Sequence, residues 1–141
     1  MFSAEQLIEL SSNLKSLMAP ICRTYNLSFA QFLIISNIPK SGISLNRLAL
    51  LVGSEISTMS RNIDKLETTN YVIKSAHLTD KRKILIICTE KAINLMKLIY
   101  GQIQTHISEF NFDGLNDTDL MLLKNVLEEF SWVFYKYLHE K

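Results

Sequence analysis

The sequence predicts a mainly α-helical chain with one small β-hairpin, an α+β fold. Three observations predict it. Apolar residues recur at steps of three and four along most of the 141 residues, the spacing of helices with one buried stripe. Two of these segments, Leu45 to Leu51 with Val52 still at core spacing and Ile56 to Leu66, are separated by a three-residue turn containing Gly53. Directly after them, two runs rich in Val, Ile and Tyr flank a polar loop from Ala76 to Arg82, the pattern of paired strands.

The N-terminal helix shows Leu7, Leu10, Leu14, Leu17 and Ile21 at alternating three- and four-residue steps, with Pro20 bending or ending it. Ser28 and Gln31 form a capping box for a second helix that continues through Phe32 and Ile35 to about Ile38, before Pro39. Ser44 caps a third, with Leu45, Leu48, Ala49 and Val52 at core spacing. Gly53 breaks it, and Ser54 is expected to cap a fourth whose buried stripe is Ile56, Met59, Ile63 and Leu66. Asn70 then stands where a helix end needs a left-handed residue. The strands are Tyr71 to Ser75 and Lys83 to Cys88. A further helix carries Ala92, Met96, Ile99, Ile103, Ile107 and Phe110 and stops near Asn111 to Gly114. Asn116 caps the last one, with Asp117 and Asp119 at its positive end and a wide apolar face from Leu123 to Leu138.

Two helices joined by so short a turn form a helix-turn-helix, and the following hairpin makes a wing. The fourth helix turns Ser54, Thr58, Arg61, Lys65 and Thr68 away from its apolar stripe, short hydroxyls first and long cations later, a mixture suited to base edges and phosphates. Ser57, Thr58 and Arg61 are the expected base-edge contacts, and Lys65, Lys81 and Lys83 the expected phosphate contacts. Arg82 at the hairpin tip can reach into a narrow minor groove, its guanidinium directed by Asp80. The competing readings are an ordinary helical hairpin with a solvated face and a surface ion pair of little energetic value.

These residues resemble the MarR-type winged helix-turn-helix transcriptional regulators. The spacing of the family's wing pattern is kept by Asn70-Tyr71-Val72, Lys74, Asp80, Arg82, Cys88-Thr89 and Ala92. The departures are Asn and Tyr for the usual Gly-Leu start, Lys for Arg, Cys for Leu and Ala for the final Gly. The likeness extends upstream to Leu27-Ser28, Gln31-Phe32, Leu48-Ala49 and the stretch from Ser57 to Leu66, so it covers nearly the whole chain. It implies a single MarR-like domain over 1–141, with a winged core at 27–89 and a helical dimerisation region at 1–25 and 90–141. It also implies double-stranded DNA and a second copy of the chain as partners, with a small amphipathic effector as a third. Tyr25, Phe29, Phe32 and Met18 are candidates for an effector site, although any core would contain the same residue types.

Composition narrows the function classes. At 48% hydrophobic the chain can bury a core, and the apolar surplus of its terminal helices points to interleaving with another copy. No apolar run approaches the roughly 20 residues of a membrane helix, and Met1 to Glu9 lacks a signal-peptide pattern, so a cytoplasmic protein is expected. Cys22 and Cys88 form neither a disulfide framework nor a zinc pattern, and His77, His106 and His139 are scattered, so no metal or cofactor is expected. No phosphate loop or catalytic set marks an enzyme. The formal charge of +1 is low for a DNA binder, yet residues 44–89 hold seven Lys or Arg against four acids, +3, which leaves −2 elsewhere. That near-neutral total keeps open an alternative, a winged-helix adaptor or antagonist that binds protein instead of DNA.

Overall fold

Three reciprocal capping boxes start helices where Ser or Asn precedes Gln or Asp by three residues. They open α1 (Ala4–Thr24) with Ser3 and Gln6, α2 (Phe29–Ser36) with Ser28 and Gln31, and α6 (Asp117–His139) with Asn116 and Asp119. The remaining elements are β1 (Ile43–Ser44), α3 (Leu45–Val52), α4 (Ile56–Thr68), β2 (Val72–Ala76), β3 (Ile84–Cys88) and α5 (Glu90–Ser108). The computed structural model describes residues 1–76, 79–80 and 83–140. Two compact units divide the chain, Met1–Ser108 and Glu109–Lys141.

Among the described residues the sheet has three antiparallel strands in the order β1-β3-β2. The hairpin register pairs Val72 with Cys88 and Ala76 with Ile84, while Ile43 of β1 pairs with Ile86 on the other side of β3. A strand of two residues is too short for a periodic signature, which is why the sequence shows only the hairpin. Gly42 makes it fit. Its φ is +86°, and a Cβ there would meet Ile87 Cγ1 at 3.0 Å and the Ile86 carbonyl oxygen at 3.2 Å, so any side chain would drive β1 off β3.

One core runs through the first unit. Leu48 and Ala49 of α3, Met59, Ile63 and Leu66 of α4, Val72 of β2 and Ile86 of β3 meet Phe32 and Ile35 of α2, Cys22 of α1 and Ala92, Met96 and Ile99 of α5. Phe32 lies in this core, with Met18, Tyr25 and Phe29 packed partly buried against it.

Several local expectations change. Ser54 does not cap α4; its hydroxyl donates to the Glu55 carbonyl oxygen at 3.0 Å, and Glu55 occupies the capping position without using its side chain. Ile56 remains 54% exposed, and of the expected stripe only Met59, Ile63 and Leu66 are buried. Helix α1 runs through Pro20 to Thr24. Helix α2 ends at Ser36, because Asn37 Nδ2 and the Ser36 hydroxyl both donate to the Leu33 carbonyl oxygen and terminate the ladder before Pro39. In α5 the stripe is buried through Ile99, whereas Ile107 is exposed, and Phe110 lies beyond the helix end.

Asn70 has φ +63°, and around it the Tyr71 amide donates to the Leu66 carbonyl oxygen at 2.8 Å and the Asn70 amide to that of Glu67 at 3.0 Å. This reversal starts β2 next to the end of α4. Asn70→Val is expected to lower stability by about 1–2 kcal/mol in urea denaturation, since a β-branched residue resists the left-handed region, whereas Asn70→Gly should leave it nearly unchanged. Equal losses in both variants would show that the asparagine side chain, not the backbone angle, matters.

Candidate nucleic-acid interface

Helix α4 places the candidate face. Met59, Ile63 and Leu66 are fully buried, and the period of 3.6 residues then turns Ser57, Thr58, Arg61 and Lys65 to solvent, where all four are exposed. Ser54 is half-buried in the turn before the helix. Arg61 Nη2 lies 3.4 Å from Thr58 Oγ1, one turn earlier, so the guanidinium is held along the helix surface. The Gly53 turn, with φ +67°, sets α4 against α3.

The other expected contacts fall in the sequence between β2 and β3. Lys83 is exposed, and its amide donates to the Asp80 carbonyl oxygen at 3.0 Å, closing the base of the hairpin loop. Lys81 and Arg82 lie outside the described residues, as does His77.

Lys74 is a site residue that the sequence reading missed. Its ammonium reaches back from β2 to α4 and meets Asp64 Oδ1 at 2.8 Å and Glu67 Oε1 at 3.8 Å. The hydrogen bond to Asp64 raises the Lys74 pKa above the usual lysine range. The contacts tie the wing to α4, and the one ammonium offsets part of the charge of two acids on that helix. Asp64 and Glu67 lie ten and seven residues before Lys74, too far for local pairing rules, so only the hairpin register reveals the link.

A second junction fixes the other end of α4. Lys91 Nζ donates to the Thr69 carbonyl oxygen at 2.7 Å and sits 4.4 Å from the centre of the Tyr71 ring, while Thr89 Oγ1 donates to the Asn70 carbonyl oxygen at 2.7 Å. The same Thr89 oxygen accepts from the Ala92 amide and caps α5. The two residues that follow α4 are thus bonded to the start of α5.

Beside this junction, Ile35, Ile38, Pro39, Cys88, Met96 and Tyr100, with Lys40 and Lys97, line a cavity of about 600 Å³. The expected effector residues Met18, Tyr25, Phe29 and Phe32 are not among its lining. Burial pushes the Cys88 thiol pKa up, and it does the same to Cys22, outweighing the small opposing effect of Arg23.

A helix-turn-helix followed by a hairpin tied to its second helix defines the chain as a winged-helix DNA-binding transcriptional regulator. The sequence model of the transcriptional regulator SarA/Rot family matches residues 16–99, more than half of the chain, and the protein belongs to that family. The solved structures carry the same fold at low identity. CouR from Rhodococcus jostii, bound to p-coumaroyl-CoA, superposes with a TM-score of 0.76 at 16% identity, covering 96% of this chain and 91% of that one. Apo MarR from E. coli gives 0.74 at 17%, covering 92% and 97%. A MarR protein from Peptoclostridium difficile gives 0.74 at 22%, covering 99% and 96%. The comparison with curated proteins found no match. No helix among the described residues is long and apolar enough to cross a membrane.

Two outcomes follow from the geometry. A double-mutant cycle of Asp64→Ala and Lys74→Ala, read by urea denaturation, should give a coupling of about 0.2–1 kcal/mol, the range for exposed pairs. Because the folded pKa of Lys74 is raised, this coupling is present below the free lysine pKa. It should hold between about pH 7 and 9 and fade only above about pH 10.5. At neutral pH both thiols stay protonated, so peroxide treatment should leave DNA affinity unchanged in a gel-shift series.

Proposed function

We propose that the chain acts in the cytoplasm as a homodimeric repressor without catalytic activity, bound to a pseudo-palindromic DNA site. The observation that carries this reading is the single outward face of α4, where Ser57, Thr58, Arg61 and Lys65 are all exposed opposite the buried stripe. In the dimer each α4 enters a major groove, the two being about one helical turn of DNA apart, roughly 34 Å. Each wing lies in a flanking minor groove, with Arg82 inserted and Asp80 directing it. Lys65, Lys81 and Lys83 hold phosphates, while Ser57, Thr58 and Arg61 face base edges and Ser54 borders them.

Unpartnered apolar surface supports the second copy. Leu10 and Leu14 of α1 are each 46% exposed, and α6 contains no buried residue although it carries Leu122, Val126, Trp132, Val133, Tyr137 and Leu138. The cavity beside α5 supports an effector. Its volume falls in the range of small-ligand sites, and its apolar lining with Lys40 and Lys97 suits an amphipathic acid. CouR, which has the same fold, was crystallised with p-coumaroyl-CoA.

Fragments selected from a random duplex pool should contain a two-fold symmetric motif, and sedimentation of the complex should give two chains per duplex. Lys65→Ala should then weaken binding by a similar factor for all sequences and reduce the slope of log affinity against log salt by about one, whereas Arg61→Ala should change which bases are preferred. Salt-independent binding, or a selected pool without enrichment, would favour a protein-binding winged helix instead.

A further inference from the structure

The reading helix is an unexpected place for negative charge. From Glu55 to Thr68 it carries three acids, Glu55, Asp64 and Glu67, against two bases, Arg61 and Lys65. Two of the acids are accounted for, because Lys74 meets both Asp64 and Glu67. Glu55 is different. It is exposed at the capping position, with φ −68° and ψ 148°, and among the described residues its carboxylate takes part in neither an ion pair nor a capping hydrogen bond. An acid at this position ordinarily accepts from a first-turn amide, which is the usual structural reason for its presence. Here that role is unfilled, and Ser54, the other candidate cap, turns its hydroxyl to the Glu55 carbonyl oxygen.

The N-terminal end of the second helix is the part of a helix-turn-helix that reaches base edges. An uncompensated carboxylate there repels the phosphate backbone and weakens binding to every duplex, unless a base offers it a donor. A carboxylate has acceptors only. In the major groove guanine presents two acceptors and repels it, thymine presents an acceptor and a methyl group, and adenine sets its amino group beside the N7 acceptor. Cytosine alone offers an amino group without a neighbouring acceptor on its own edge. Resting on the DNA-reading role proposed for α4, we propose that Glu55 is a specificity-determining residue that accepts a hydrogen bond from the N4 amino group of a cytosine in each half-site. Lys65 provides affinity on the same helix and Arg61 reads another base, and Glu55 adds discrimination at its own position.

Selection from a random duplex pool with the full-length wild type, Glu55→Ala and Glu55→Gln tests this. The wild type should enrich a symmetric motif with cytosine at one position of each half-site. Glu55→Ala should lose that preference, with about a 10-fold fall in the affinity ratio of cytosine over the other bases. It should also bind random duplex more tightly and unfold at an unchanged temperature. Glu55→Gln, which can both donate and accept, should move the preference at that position to adenine. A wild-type motif retained by both variants overturns the assignment, as does a gain in affinity by one common factor for all duplexes, which marks simple repulsion. A common loss accompanied by a lower unfolding temperature overturns it too, since that marks a structural role. A wild type that enriches no motif overturns the regulator reading itself, and this assignment with it.

Discussion

The burial of Met59, Ile63 and Leu66 is the constraint on which the rest depends. These three side chains sit one turn apart on α4 and are fully enclosed by residues of the first unit, so the helix cannot rotate about its axis without exposing them. Fixing the inward side of a helix fixes its outward side as well. Ser57, Thr58, Arg61 and Lys65 are presented together for that reason, and not because anything holds them to one another beyond the long Arg61–Thr58 contact.

Rotation is settled by the core, whereas tilt and position are settled at the two ends. At the start, the left-handed Gly53 lets α4 leave α3 after three residues. At the finish, the reversal at Asn70 lets the Asn70 and Tyr71 amides take the Glu67 and Leu66 carbonyl groups, while Lys91 and Thr89 of the α5 start bond those of Thr69 and Asn70 just beyond the helix. Lys74 adds a link from the wing to the middle of the helix. Reading helix, wing and α5 therefore move as neighbours in one bonded frame. The cavity takes part of its lining from Cys88 and Ile93, which flank Thr89 and Lys91 in the sequence.

Much of this was legible in the sequence. The capping box at Ser28, the cap at Asn116, the break at Gly53, the left-handed Asn70 and the hairpin all rest on interactions within a few residues, and such interactions leave a local pattern. What escaped was governed by neighbours distant in the chain or by the position of an element's end. Strand β1 exists because β3 offers it an edge and Gly42 allows the approach. Ile56 has the right spacing for the core and yet is exposed, because spacing alone does not say which turns of a helix its neighbours cover. Lys74 reads in sequence as one more wing cation, and only the fold brings it to Asp64.

The order of residues by itself determined the class of molecule. Apolar periodicity, turn residues and the spacing from Asn70 to Ala92 are short-range quantities, and together they define a helix-turn-helix with a wing. Tertiary structure alone decided which charges remain available to a partner. Asp64, Glu67 and Glu55 are equivalent acids on paper, and the fold sets the one Lys74 ammonium against two of them while leaving the third at the start of α4. Electrostatic pairing depends on distance in space, and the register of the hairpin sets that distance.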